Sequence, residues 1–206
     1  MEELIKANLD KATTYEAYRE MTRSLLAEGK TTGPNQSEIM IHYTKLNEQR
    51  MSRLDKTVKL TDEAKEFYSS IKGEYFWLVI SEPWCGDASQ IVPLFSALAE
   101  TSSAIDMKIV LRDENPELMD NFEQNGSRAI PVVIMIEKET LNVLGSWGAR
   151  PAEAQEIVNE YKKMDPKPPY DELATNLQKW YNKDKTKTTQ KELVDFAKKC
   201  LEKIPA

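Results

Sequence analysis

The chain has 206 residues, of which 40% are hydrophobic and 30% are charged, and its net charge is −6. Such a composition is typical of a globular protein with one domain and additions, or with two small domains. Nucleic acids and anionic membranes require a basic surface, so neither is an expected partner of this acidic chain.

The N-terminal segment MEELIKANLDK has no apolar core of the kind that a signal peptide carries, and no apolar run approaches membrane-spanning length. Without an export signal the expected compartment is the cytoplasm, where thiols stay reduced. The two cysteines, Cys85 and Cys200, are therefore not expected to form a structural disulfide. With one histidine and no close pair of cysteines, no metal site is expected.

Helices are predicted over most of residues 1–72, at 13–29, 37–56 and 61–73. Hydroxyl residues that can cap a helix precede each apolar face, and glycine ends the first and the third helix. This N-terminal segment, residues 1–59, is interpreted as a helical extension of the domain that follows.

From residue 75 the pattern alternates between strands and helices. The predicted strands are 75–81, 106–112, 130–137 and 141–147, and the predicted helices are 87–101, 116–125 and 151–163. Helical crossovers favour parallel pairing of the strands, whereas the hairpin 130–147 adds an antiparallel edge. These elements define an α/β domain over residues 60–164.

A stiff proline-rich linker at 165–169 opens a C-terminal helical extension, residues 165–206. Helices are predicted at 170–183 and 188–203, and both extensions are expected to pack on the α/β domain. The lysine-rich turn 183–187 between these helices is interpreted as solvated charge.

A cysteine lies at the turn between the first strand and the helix after it. The residues of this turn are Trp84, Cys85, Gly86, Asp87 and Ala88. At the start of a helix the unpaired backbone N–H groups and the helix dipole favour a thiolate, which is the reactive form of cysteine. The carboxylate of Asp87 opposes that thiolate, and the sequence leaves open which effect is larger. A small buried side chain is the alternative for Cys85.

This segment resembles the active-site segment of the thioredoxin family, because it consists of a strand, then Trp-Cys-Gly, then a helix that contains Pro93. The resemblance covers about residues 60–163 and implies a thioredoxin-like α/β fold with helical extensions at both ends. The family's second cysteine falls on Ala88, so the motif is C-G-D-A instead of C-x-x-C. Because Ala88 cannot resolve a mixed disulfide, a dithiol cycle within this motif is excluded.

The resemblance also implies roles for residues outside the motif. Pro131 matches a cis proline that faces the active cysteine in that family. The backbone at Ile130, just before it, would then pair with the substrate. The alternative is an ordinary proline that opens a strand. Gly148 matches a glycine at the rim of the substrate groove, or is part of a plain turn. Trp84 matches the aromatic shield of the cysteine, or is a core tryptophan. Arg128 could bind an anionic group of a substrate, or belong to a surface cluster of ion pairs.

Two functions follow as hypotheses. The first is a monothiol thiol–disulfide redox protein in which Cys85 forms a mixed disulfide with a partner protein or a small-molecule thiol. No cofactor is expected for it, and glutathione or another small thiol is the candidate co-substrate. The second is a non-catalytic thioredoxin-like module that binds a peptide or protein in the groove by Pro131. Cys200 is predicted to be a core residue, with a remote resolving thiol as the alternative.

Overall fold

The computed structural model describes residues 1–204, which form four strands and nine helices. In chain order these are α1 (Glu2–Leu9), α2 (Tyr15–Ala27), α3 (Glu38–Thr57), α4 (Asp62–Ser70), β1 (Tyr75–Ser81), α5 (Ala88–Thr101), β2 (Ile105–Leu111), α6 (Pro116–Asn121), β3 (Val132–Glu137), β4 (Val143–Gly148), α7 (Ala152–Lys163), α8 (Tyr170–Asp184) and α9 (Lys187–Leu201).

The strands form one mixed sheet in the order β2-β1-β3-β4. Strand β1 is parallel to β2 and antiparallel to β3, and β4 is antiparallel to β3. The predicted hairpin is therefore present, but the parallel pairing expected for a helical crossover applies only to β1 and β2. Helix α6 has six residues and spans about 9 Å, less than the roughly 23 Å of a seven-residue strand. The chain re-enters the sheet at the same end of the strands at which β2 leaves it, and β3 is antiparallel to β1.

Both faces of the sheet are covered, which explains the nearly continuous apolar run of β1. Trp77 and Val79 belong to the larger core, which contains α5 and side chains from both helical extensions. Leu78 and Ile80 belong to a smaller core on the other face, where they meet α6 and Ile5 of α1. Helix α1 is an additional element within the region predicted to be helical.

The helical extensions pack on the α/β domain, as their amphipathic patterns predict. Helix α3 packs against α5, α8 against α7, and α9 against both β4 and α4. The side chains of Thr14 and Thr61 cap α2 and α4, each accepting a hydrogen bond of 3.2 Å from a backbone N–H group. Ser37 precedes α3 but makes no capping hydrogen bond with its side chain. The domain boundaries at residues 59/60 and 164/165 stay predictions.

Within residues 1–204, no helix combines the length and the apolar composition needed to cross a membrane.

Candidate functional site

Cys85 lies in the tight turn that connects β1 to α5. Its backbone N–H donates to the carbonyl oxygen of Glu82 at 3.1 Å, and its own carbonyl accepts from the N–H of Ser89 at 3.2 Å. The thiol is half-buried and donates to the carbonyl oxygen of Ile130 at 3.3 Å. The turn therefore holds the sulfur against the segment that leads into β3.

The Ile130–Pro131 peptide bond is cis, and both residues are buried. Gly148 at the end of β4 pairs with Val132, the first residue of β3. A Cβ atom at Gly148 would lie 2.4 Å from the carbonyl oxygen of Pro131, so a larger residue does not fit there without movement of the backbone. Four residues predicted for one site, Cys85, Ile130, Pro131 and Gly148, thus lie in one corner of the sheet.

Burial first, and the carboxylate of Asp87 second, raise the pKa of the Cys85 thiol to about 11. The backbone N–H groups of Ala88 and Asp87 and the guanidinium of Arg150 act in the opposite direction but do not compensate. The sequence left open whether the helix N-terminus or the nearby carboxylate has the larger effect on this thiol. In the structure, burial and Asp87 together outweigh the helix start.

Asp87 is almost fully buried, with 6% of its surface exposed, and is held by two residues distant in sequence. Arg150 donates to Oδ2 of Asp87 from Nε at 2.8 Å and approaches it with Nη2 at 2.7 Å. The hydroxyl of Tyr181 donates to Oδ1 at 2.8 Å. Burial raises the pKa of Asp87, whereas Arg150 and Tyr181 stabilise its charged form. The network fixes a carboxyl group two residues from the thiol.

Helix α8 of the C-terminal extension closes over this turn. Nε2 of Gln178 donates to the carbonyl oxygen of Gly86 at 3.3 Å, and Oε1 of the same residue accepts from Gln90 of α5 at 2.7 Å. Together with Tyr181, Gln178 makes the C-terminal extension part of the site. Ala88, at the position of the family's second cysteine, is buried against the same elements.

Sequence reasoning missed Arg150, Tyr181 and Gln178, which lie 63 to 94 residues from the groups that they bind. The available signal was Asp87, because a carboxylate in a buried turn requires a partner. Arg150 follows Gly148 by two residues and was the nearest candidate along the predicted hairpin.

A second buried carboxyl group lies at Glu82, just before the turn. Its side chain is fully buried and accepts hydrogen bonds from the Thr32 hydroxyl and, at 2.9 Å, from the Asp113 backbone N–H. Burial raises the pKa of Glu82 to about 7.

Trp84 lies on the outer side of the turn, where the Arg112 guanidinium stacks 4.5 Å from the centre of its ring. Arg112 pairs with Asp113 at 2.8 Å, and Arg128 pairs with Asp120 at 2.5 Å on the exposed surface. Both arginines therefore form ion pairs, which is the alternative interpretation given above for Arg128. Trp84, Arg112 and Arg128 nevertheless line one shallow cavity of about 460 Å³ beside the cysteine turn.

Cys200 is a core residue of α9, with 2% of its surface exposed. Its sulfur lies against β4, where it would be 2.8 Å from a Cβ atom at Gly145. Both cysteines are free, and the burial of Cys200 agrees with its prediction as a core residue. Among residues 1–204, no group of three or more His, Cys, Asp and Glu side chains is arranged to hold a metal ion.

A family model described as Thioredoxin matches residues 33–162. That range is more than half of the chain and includes α3, the whole sheet, the cysteine turn and almost all of α7. The chain therefore belongs to the thioredoxin family.

Two solved structures share this fold. One is a protein of unknown function from Pseudomonas aeruginosa, 15% identical, with a TM-score of 0.60 over 93% of this chain and 95% of the other. The other is an HIV epitope scaffold, also 15% identical, with a TM-score of 0.52 over 94% of this chain and 100% of the other. At this identity the likeness concerns the fold alone. No curated protein matches the sequence significantly.

Proposed function

We propose that this thioredoxin-family protein is a monothiol thiol–disulfide exchange protein and that Cys85 carries the exchange. The observation that supports this function is the position of one half-buried thiol, 3.3 Å from the carbonyl oxygen of Ile130 and beside cis Pro131. The sulfur lies where an extended substrate could pair with the backbone at Ile130. Trp84 and Gly148 would form the rim of that groove, and Arg128 would meet an anionic group of the substrate.

The exchange needs one thiol and one disulfide. The thiolate of Cys85 attacks one sulfur of R–S–S–R, a new sulfur–sulfur bond forms, the old one breaks, and RS⁻ leaves and takes up the proton that Cys85 released. Since Ala88 supplies no second thiol, the mixed disulfide persists until an external thiol attacks it. The second reactant is a partner protein or a small thiol such as glutathione.

The raised pKa makes this exchange slow in the free protein. With the Cys85 pKa at about 11, only about one thiol in ten thousand is ionised at pH 7. Exchange at neutral pH therefore depends on a partner that stabilises the Cys85 thiolate and thereby lowers the pKa of Cys85.

The second candidate function is a binding module without thiol chemistry, and the protonated state of Cys85 favours it. In that function the Cys85 thiol would contribute only its hydrogen bond to Ile130. A peptide or protein would occupy the groove beside Pro131, and the Cys85→Ser variant would bind that ligand as well as the parent protein does.

Treatment with oxidised glutathione distinguishes the two functions. The Cys200→Ala variant is incubated at pH 7 and pH 10, and peptide mass spectrometry locates any adduct. Exchange predicts an adduct at Cys85 that forms faster at pH 10, and none in the Cys85→Ser/Cys200→Ala control. If the folded protein gains no adduct at pH 10 while the same protein in denaturant does, the exchange function is wrong.

A further inference from the structure

A separate cavity of about 580 Å³ lies where α3 ends and α8 turns into α9. Residues 58–61 and the turn at 185–187 both line this cavity. Gln90 of α5 and Tyr181 of α8, both buried, also line it. The volume is in the range of small-molecule sites, which is about 300–1,000 Å³.

Four cationic side chains line this cavity, and within residues 1–204 no carboxylate does. They are Arg53, Lys59, Lys185 and Lys187. None of the four forms an ion pair with a carboxylate in the part of the chain that the structure describes, although the net charge of the chain is −6. Positive charge is thus concentrated at this cavity in an otherwise acidic protein.

The neighbouring carboxylate of Asp184 is directed to the start of α9 and forms no ion pair with these cations in the described residues. It accepts hydrogen bonds from the backbone N–H of Thr188 at 3.1 Å and from the Thr188 hydroxyl at 2.6 Å. Burial lowers the pKa of the nearby Arg50, and the positive charge of Arg53 lowers it further. The positive charge of Arg53 therefore acts on Arg50, three residues earlier in α3.

The buried side chain of Gln190 connects residues 58–61 to the turn at 185–187. Its Nε2 donates to the Lys59 carbonyl at 3.0 Å and to the Thr186 hydroxyl at 2.9 Å, and its Oε1 accepts from the Thr61 N–H at 2.7 Å. These hydrogen bonds fix the two segments relative to each other before any ligand binds. The apolar part of the lining consists of Leu54, Val58 and Leu60.

We propose that this cavity binds a small organic phosphate, with its dianionic group among the four cations and its apolar or aromatic body against Leu54, Val58 and Leu60. A phosphate monoester carries close to two negative charges at neutral pH and offers three acceptor oxygens, which suits several cations around one cavity. The lysine-rich turn is then part of a binding site and not only solvated charge. The proposal does not rest on the thiol chemistry proposed for Cys85, although Tyr181 and Gln90, which line the cavity, also belong to the hydrogen-bond network around Asp87.

Phenyl phosphate, inorganic phosphate and phenol together test the charge and the apolar body separately. Isothermal titration calorimetry of the full chain should show saturable one-to-one binding of phenyl phosphate that weakens as salt is added. Phenol and inorganic phosphate should each bind more weakly than phenyl phosphate does.

Charge-reversal variants locate the site. Lys185→Glu/Lys187→Glu should reduce the affinity for phenyl phosphate by about tenfold or more. Lys162→Glu/Lys167→Glu is the matched control, because both lysines are exposed, the change in net charge is the same, and the affinity should change by no more than about twofold.

Absence of saturable binding would overturn the proposal, as would an equal loss of affinity in the two double variants. Phenol binding as tightly as phenyl phosphate would show that the cations are not what the ligand contacts. Inorganic phosphate binding as tightly would show that the apolar wall contributes nothing.

Discussion

Replacing Asp87 by Asn should make the Cys85 thiol more acidic. The carboxylate of Asp87 is the second cause, after burial, of the raised pKa of this thiol. The substitution removes that negative charge and leaves the Arg150 guanidinium, which favours a thiolate, without its main counter-charge. Both changes act in the same direction on Cys85.

The size of the effect follows from the Coulomb energy of the two groups. For charges roughly 6 Å apart in an effective dielectric of about 20, the energy is about 3 kcal/mol. The half-buried thiol retains contact with water, so about half of that energy is expected to remain. The thiolate population at neutral pH should therefore increase by about tenfold, since about 1.4 kcal/mol corresponds to a factor of ten.

Alkylation by iodoacetamide measures this change, because its rate below the pKa is proportional to the thiolate fraction. Rates are compared between Cys200→Ala and Asp87→Asn/Cys200→Ala from pH 6 to pH 11. Asp120→Asn/Cys200→Ala is the matched control, since Asp120 is an exposed partner of Arg128 and carries the same charge. Circular dichroism establishes that each variant is folded.

An unchanged or slower reaction in the folded Asp87→Asn protein would refute this reasoning. It would mean that burial alone sets the pKa of Cys85. An equal acceleration in the Asp120→Asn control would show that net charge, and not the buried carboxylate, is responsible.

Two further predictions concern stability. Gly148→Ala should lower the free energy of unfolding by about 2–3 kcal/mol in urea titrations, because its Cβ would overlap the Pro131 carbonyl. Gly86→Ala is the control and should lower it by less than about 1 kcal/mol, because its Cβ meets only Nε2 of Gln178, at 3.4 Å. Equal losses in the two variants would contradict the close approach at Gly148. The pKa of Glu82 is raised in the folded state, so its contribution to stability is fully present below about pH 4.5 and is lost as the pH rises through about 7, by about 3 kcal/mol in all. Glu82→Gln should remove this loss between pH 5 and pH 8, and an identical pH profile in both proteins would show that Glu82 is not the group involved.

The strands and most helices were predictable because their signals are local. The apolar run of β1, the proline at the start of α6 and the glycines after α2 and α4 each identify an element from neighbouring residues. No local signal indicated the direction of β3. The pattern predicted a helix from residue 116 to residue 125, whereas α6 ends at Asn121.

The site was predictable in part. Cys85 and Pro131 follow from the resemblance to a family, since the residues around each are those that the family places at its active site. The protonated state of the thiol was not predictable, because its largest cause is burial, and burial arises only when elements distant in the sequence, such as the C-terminal helix α8, pack around the turn. Glu82 lies two residues before Trp84 in the sequence, but nothing in the neighbouring residues indicates that its carboxyl group is buried.

Release of 2-thiopyridone from 2,2′-dithiodipyridine tests the exchange function most directly. The Cys200→Ala variant should release one equivalent per folded chain, slowly at pH 7 and faster as the pH approaches the Cys85 pKa of about 11. The Cys85→Ser/Cys200→Ala protein should release none. A folded Cys200→Ala protein that releases nothing up to pH 10 would contradict exchange at Cys85, and one that reacts at the same fast rate at pH 6 and pH 10 would contradict a protonated thiol.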